Sequence, residues 1–157
     1  NVGQRPVNRT SASAGQDALN TAVEVLNDGD LFGIYPEGTR SPDGRLYKGK
    51  TGVARIALAS GAQVIPVAMI GTRDVNPIGT WFPRPGKVRV KVGDPIYPIE
   101  FVNNRGLERD SYEAIRALTD HIMRQLQQLS GQEYADVYAA EVKKALAEGG
   151  DSSPHNP

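Results

Sequence analysis

The residues best equipped for chemistry lie in one short stretch, Tyr35-Pro36-Glu37-Gly38-Thr39-Arg40-Ser41, which sets a carboxylate and a guanidinium among hydroxyl groups. Glu37 can accept hydrogen bonds from hydroxyls, and Arg40 can make a bidentate contact to a phosphate. Pro36 fixes the direction in which the chain leaves the preceding segment, and Gly38 allows a close or unusual backbone path. Further cations sit nearby in the pattern. Arg9 ends a short apolar segment, while Lys48 and Lys50 fall at the start of a predicted helix. An anion held there would gain from free helix amides as well as from ammonium charge. Gly49 and Gly52 would let the backbone approach it. From the residues alone two readings stand: a site that holds a phosphorylated ligand, and a turn closed on itself by a Glu37–Arg40 ion pair.

Nucleotide-binding alternatives lack the strand context or the glycine spacing that they require. Gly44–Thr51 fits the Gly-x-x-x-x-Gly-Lys-Thr spacing of a P-loop, but the motif requires a strand directly before its first glycine, and here the loop from Pro36 to Gly44 precedes it. Gly33 is not followed by dinucleotide-binding glycine spacing, so an ATPase is disfavoured.

The elements that must position this stretch alternate at short intervals. Asn1 to Arg9 reads as a strand end or loop. Ser11 and Ser13 are candidate caps for a helix carrying Ala18, Leu19, Ala22, Val25 and Leu26, which Asp28-Gly29-Asp30 stops. Leu31–Tyr35 is short and apolar, as a buried strand would be, and delivers the chain to the loop from Pro36 to Gly44. A second helix is predicted from about Gly49 to Ser60, with Gly61 as its C′ residue. Val64–Ile70 reads as a buried strand, and Pro66 implies an edge position or a bulge. Lys87–Val92 alternates valine with basic residues, as a strand with one solvated side does. Asp110 or Ser111 starts a longer helix bearing Ile115, Leu118, Ile122, Met123, Leu126 and Leu129, which stops at Gly131. A last helix is expected over about 132–148, followed by a disordered tail, 149–157. The fold class is α/β, with a mixed or mostly parallel sheet flanked by helices.

Composition bounds the function. The chain has 157 residues, enough for one domain with a real core and little more. Lys plus Arg and Asp plus Glu each number 18, and the aromatics are few. With Tyr47, Trp81 and Phe82 forming no stacking series, a nucleic-acid module is disfavoured. The absence of cysteine excludes disulfides, thiolate metal sites and a cysteine nucleophile. Only His121 and His155 are present, which argues against a histidine-rich metal centre. No apolar run approaches the roughly 18 residues that suggest a membrane span. A polar start without Met gives the chain the look of the interior of a longer protein.

Tyr35–Ser41 resembles the Phe-Pro-Glu-Gly-Thr-Arg-Ser block of the glycerolipid acyltransferases, the PlsC-like 1-acyl-glycerol-3-phosphate acyltransferase family, differing only in Tyr35 for Phe. Two further blocks stand in the right order. Gly3-Gln4-Arg5-Pro6-Val7-Asn8-Arg9 is similar to the family's second block, and Val64-Ile65-Pro66-Val67-Ala68 to its fourth. Lys50-Thr51-Gly52 falls where the family often has Lys-Lys-Gly. The resemblance covers about residues 3 to 72. It implies a catalytic role for the complete protein: an acyl group passes from acyl-CoA or acyl carrier protein to the hydroxyl of lysophosphatidate. Neither donor is a cofactor, and no resident cofactor is implied. Residues 1–148 would be the C-terminal portion of the acyltransferase domain. Arg9, Arg40 and Lys50 would hold the phosphate, with Gly38 and Thr39 in the binding loop. Glu37 would serve the glycerol portion or brace the loop.

The family's His-x-x-x-x-Asp block, whose histidine is the general base, has no counterpart here, so no catalytic residue is assigned. His121 lies on an apolar helix stripe after the fourth block and reads as a packing or surface histidine. The expected place for the missing block is upstream of Asn1, which makes this chain a fragment. Alternatively, the upstream part was cleaved or belongs to another chain, or the chain is a degenerate paralogue. A non-catalytic phospholipid-binding domain is the competing function. The substrate class implies a membrane surface as partner and the cytoplasmic face of the cell membrane as location. Trp81-Phe82-Pro83-Arg84-Pro85 reads either as an interfacial loop or as an aromatic pair packed on the sheet.

Overall fold

The structure is a computed structural model that describes residues 14–77 and 81–149. Arg9, the second-block residues and the tail expected over 149–157 lie outside them, apart from the backbone of Gly149. The elements in order are α1 (Ala14–Asn27), β1 (Leu46–Tyr47), α2 (Gly52–Ser60), β2 (Val67–Ile70), α3 (Thr72–Val75), β3 (Arg89–Val92), α4 (Pro98–Asn103), α5 (Tyr112–Ser130), β4 (Tyr134–Ala135) and α6 (Ala139–Gly149). This is the mixed α/β architecture expected, with helices flanking short parallel and antiparallel ladders.

The core is helical. Val53, Ala54, Ala57 and Leu58 of α2 meet Phe101 and Val102 of α4 and Ala114, Ile115, Leu118 and Ile122 of α5. Burying each large aliphatic contributes on the order of 1.5–3 kcal/mol before entropy is counted. α5 forms as its stripe predicts, and of its two candidate caps Ser111 is the one used: its Oγ accepts from the Ala114 amide at 3.1 Å. Gly131 ends the helix in the left-handed conformation, with its amide donating to the Gln127 carbonyl at 2.8 Å. Gly61 closes α2 in the same way, and the Arg109 guanidinium donates to the Leu58 carbonyl at the same end.

The ladders carry the mixed pairing expected, but single elements depart from the reading. Leu31–Tyr35 is no strand: Leu31 is 95% exposed and Tyr35 is 73% exposed, and no strand among the described residues lies beside it. The longer ladder, β2 with β3, is antiparallel, pairing Val67 with Val92 and Met69 with Val90, and parallel pairing is confined to β1 with β4. Of β2 only Ala68 is buried; Val67 and Met69 are about half exposed. β3 is exposed on its valine side as well as its basic side. Pro66, lacking an N–H, sits just outside β2 and contributes only its carbonyl, which accepts from Gly93 at 2.9 Å. Finally, the helix expected over 132–148 begins only at Ala139, because Tyr134–Ala135 is drawn into the ladder with β1.

Candidate active site

The loop after Tyr35 is built by its own backbone first. Gly38 adopts φ +70° and its amide donates to the Tyr35 carbonyl at 3.0 Å, closing a turn that a side-chain-bearing residue would strain. The Lys50 amide donates to the Pro36 carbonyl at 2.8 Å, which docks the turn against the entry to α2. A second turn follows, in which Ser41 Oγ accepts from the Gly44 amide and Asp43 accepts from the Arg45 amide. Asp43 also receives the Arg45 guanidinium at 2.7 Å and the Tyr47 hydroxyl at 2.8 Å. Its carboxyl is held far below the usual carboxylate range, by the Arg45 amide first and then by Tyr47 and the guanidinium.

Glu37 and Arg40 do not pair. Glu37 Oε2 accepts from the Tyr47 amide at 2.9 Å, and Arg40 Nη2 donates to the Asn76 carbonyl at 2.8 Å on the far side of β2 in sequence. The self-closed turn is therefore corrected: each charge ties the loop to a different element. Glu37 is half-buried, and burial raises its pKa, opposed by the Tyr47 amide and the nearby Lys143 charge. Lys143, from α6, donates to Thr39 Oγ1 at 2.7 Å.

Lys50 lies over Gly38. A Cβ built on Gly38 would meet Lys50 Cδ, Cε and Nζ at 3.2, 3.3 and 3.4 Å, so the glycine leaves room for the ammonium to cross the turn. The structure thus brings together Glu37, Gly38, Thr39 and Lys50, with Lys143 added, while Arg40 is turned towards Asn76. Thr51 offers no side-chain cap to the first amides of α2. The glycines beside Lys50 have another reason. A Cβ on Gly49 would meet Met123 Cγ and Sδ at 2.8 Å, so Gly49 seats the loop on α5. Gly52 has only Leu19 at 3.8 Å. Packing thus accounts for Gly49 and not for Gly52.

His121 stacks on Phe101 with ring centroids 4.8 Å apart, and its pKa is lowered by burial and then by Arg124 and Arg105. It is a packing histidine, as expected. An open depression of about 350 Å³ lies elsewhere, lined by Lys48, Asp120, Arg124, Gln127, Tyr134 and Asp136. Lys48 is paired with Asp136 at 3.0 Å and Asp120 with Arg116, which neutralises most of its charge. None of Glu37, Gly38, Thr39, Arg40 or Lys50 lines it.

Residues 1–70 match the family model described as Acyltransferase. The chloroplastic 1-acyl-sn-glycerol-3-phosphate acyltransferase of Brassica napus is 36% identical over 97 residues, 61% of this chain and 28% of the relative. Over part of its length the chain is similar to the PlsC-like 1-acyl-sn-glycerol-3-phosphate acyltransferases. The enzyme of that name from Bacillus subtilis (strain 168) is 27% identical over 124 residues, 79% of this chain and 56% of the relative. The crystal structure of the 1-acyl-sn-glycerophosphate (LPA) acyltransferase PlsC from Thermotoga maritima superposes with a TM-score of 0.57 at 36% identity. It covers 71% of this chain and 44% of that one. The chain therefore spans between about a quarter and just over half of the length of these relatives.

Against this PlsC-like background, Lys143, Tyr47 and Asn76 are the partners that sequence reasoning missed. Tyr47 and Asn76 act through backbone groups, which no side-chain pattern announces. Lys143 sits in an alanine- and charge-rich helix where nothing in the spacing separates it from Lys144, which pairs with Glu148 on the surface.

Proposed function

We propose that the full-length protein transfers an acyl group from acyl-CoA or acyl carrier protein to the free hydroxyl of lysophosphatidate, and that this chain supplies the phosphate-binding part of the site. In the reaction the acceptor oxygen attacks the thioester carbonyl, an ester C–O bond forms and the C–S bond breaks. The hydroxyl proton passes to a base, and the donor leaves as a thiol. His121, stacked on Phe101, is not that base, and the resemblance assigns the role to a His-x-x-x-x-Asp block. What this chain contributes is placement. Lys50 across Gly38 presents an ammonium at the turn, and Arg40 spends one amino group on Asn76 and keeps other N–H donors for an anion. Arg9 joins them by resemblance. Glu37, bonded to the Tyr47 amide, braces the loop. Fixing the phosphate fixes the distance from hydroxyl to carbonyl, and a misplacement of about 1 Å can cost on the order of 100-fold in rate.

The observation that carries this reading is the crossing of Lys50 over Gly38, inside a loop whose sequence differs from the family block only at Tyr35. In the full-length protein, Arg40→Ala and Lys50→Ala should each lower acyl transfer to lysophosphatidate, by roughly 100-fold at subsaturating acceptor. The loss should shrink as acceptor concentration rises. Transfer within twofold of wild type at low acceptor would remove both residues from the phosphate site. The membrane surface on the cytoplasmic side remains part of the proposal as the source of the acceptor; no helix among the described residues is long and apolar enough to cross a membrane.

A further inference from the structure

The β2–β3 hairpin and its connection behave unlike the rest of the chain. Across the whole sequence acids and bases balance at 18 each, but residues 67–92 hold five cations, Arg73, Arg84, Lys87, Arg89 and Lys91, against one acid, Asp74. All six are exposed, and Arg84, Lys87, Arg89 and Lys91 make no ion pair among the described residues. Large apolar side chains are exposed among them. Trp81 is 90% exposed and Phe82 is 76% exposed, so the aromatic pair does not pack on the sheet. The paired register puts Val67, Met69, Val90 and Val92 on one hairpin face, and all four are exposed too.

The base of the connection is held in shape. The Arg84 amide donates to the Val75 carbonyl at 2.6 Å, and Gly71, at φ +89°, passes so close to Lys87 that a Cβ there would lie 2.5 Å from its carbonyl oxygen. Trp81 and Phe82 lie between these pinned ends. An exposed pair of aromatic rings in a stretch whose cations Arg84, Lys87, Arg89 and Lys91 make no ion pair among the described residues matches an anionic bilayer: the rings suit the headgroup level, and the cations suit its negative surface potential.

We propose that Trp81 and Phe82 insert at the surface of a membrane containing anionic lipid, with Arg84 and Lys87 beside them contacting lipid phosphates. The inference goes beyond the acyl-transfer reading, since binding a bilayer requires no transfer. Each cation near such a surface contributes about 1 kcal/mol, which is about fivefold in partitioning.

Trp81 is the single tryptophan of this chain, which gives the test a probe. The full-length protein and its Trp81→Phe variant are titrated with vesicles of phosphatidylcholine and phosphatidylglycerol, and their difference spectrum isolates Trp81. The expected result is a blue shift, with quenching by lipids brominated high on the acyl chain. Phe82→Ala should weaken partitioning severalfold, and Arg84→Gln and Lys87→Gln about fivefold each. Acyl transfer to a detergent-dispersed acceptor should stay at the wild-type level in Phe82→Ala, so failure of the membrane surface and failure of the acyl-transfer reading give different results. An unshifted Trp81 spectrum in the presence of anionic vesicles would overturn the proposal. So would a shift produced by raising protein concentration alone, which would place a second copy on this surface. Equal binding to pure phosphatidylcholine vesicles would overturn the part assigned to Arg84 and Lys87.

Discussion

The loop from Pro36 to Lys50 and the β2–β3 hairpin lie on the same helix yet satisfy opposite rules. The loop is polar and its polar groups are tied down: Glu37 to the Tyr47 amide, Thr39 to Lys143, Arg40 to Asn76, Asp43 to Arg45 and Tyr47. The hairpin has one apolar face, and that face is bare, with Val90 60% exposed and Val92 64% exposed. Polar groups in a compact loop must find partners nearby or lose their hydrogen bonds, so such a loop is completed locally. Apolar surface has no directional demand and can stay open until something large covers it. The difference separates a loop whose polar groups are satisfied by other described residues from a face left open within those residues.

The largest break in that contrast is expected at the loop's seat. Gly49→Ala forces a methyl into Met123 Cγ and Sδ, and overpacking of this kind costs about 1–3 kcal/mol. A lowered thermal midpoint, with the loop rather than the hairpin gaining hydrogen-exchange rate, is the expected reading. A midpoint unchanged from wild type would show that Gly49 is not a packing glycine.

A smaller effect sharpens the electrostatics of the loop. Burial raises the Glu37 pKa, so between its ordinary value and the raised one the folded state holds a proton that the unfolded state releases. That contribution is complete below the unfolded pKa of 4.5 and is lost as pH rises through the folded value. Glu37→Gln should remove this slope, so its stability relative to wild type should climb with pH across that window. A flat difference in urea midpoints from pH 4 to 8 would show that Glu37 titrates as an ordinary carboxylate. Asp43 has the opposite sign, its contribution being present above 3.8 and fading as pH falls.

The smallest effect belongs to the hairpin. Val90→Thr keeps the branched shape on an exposed strand and should change stability by no more than about 0.5 kcal/mol. A loss several times larger, measured by denaturant unfolding, would mean that this face is covered in solution.

The same division explains what could be read beforehand. α1, α2 and α5 follow from apolar spacing and from Ser111, Gly61 and Gly131, because a helix closes its hydrogen bonds within itself. The chemistry of Glu37 to Ser41 was legible as residue types in order. A strand depends on a neighbour, and here local pattern misled. Leu31–Tyr35 has a strand's composition without a strand beside it among the described residues, and Tyr134–Ala135 has a helix's surroundings but pairs with β1. Lys143 reaches Thr39 across 104 positions, a contact that depends on how α6 is placed and not on any spacing.

The bond from Arg40 to the Asn76 carbonyl also sets a length. Trp81 follows Asn76 by five chain steps, and a chain spans at most about 3.5 Å per residue, or roughly 18 Å in all. With the Trp81 ring at the headgroup level, as proposed, that short tether would keep the Arg40 guanidinium near the bilayer surface. If both proposals hold, the tether would let a single-chain acceptor reach Arg40 by rising only partway out of its leaflet.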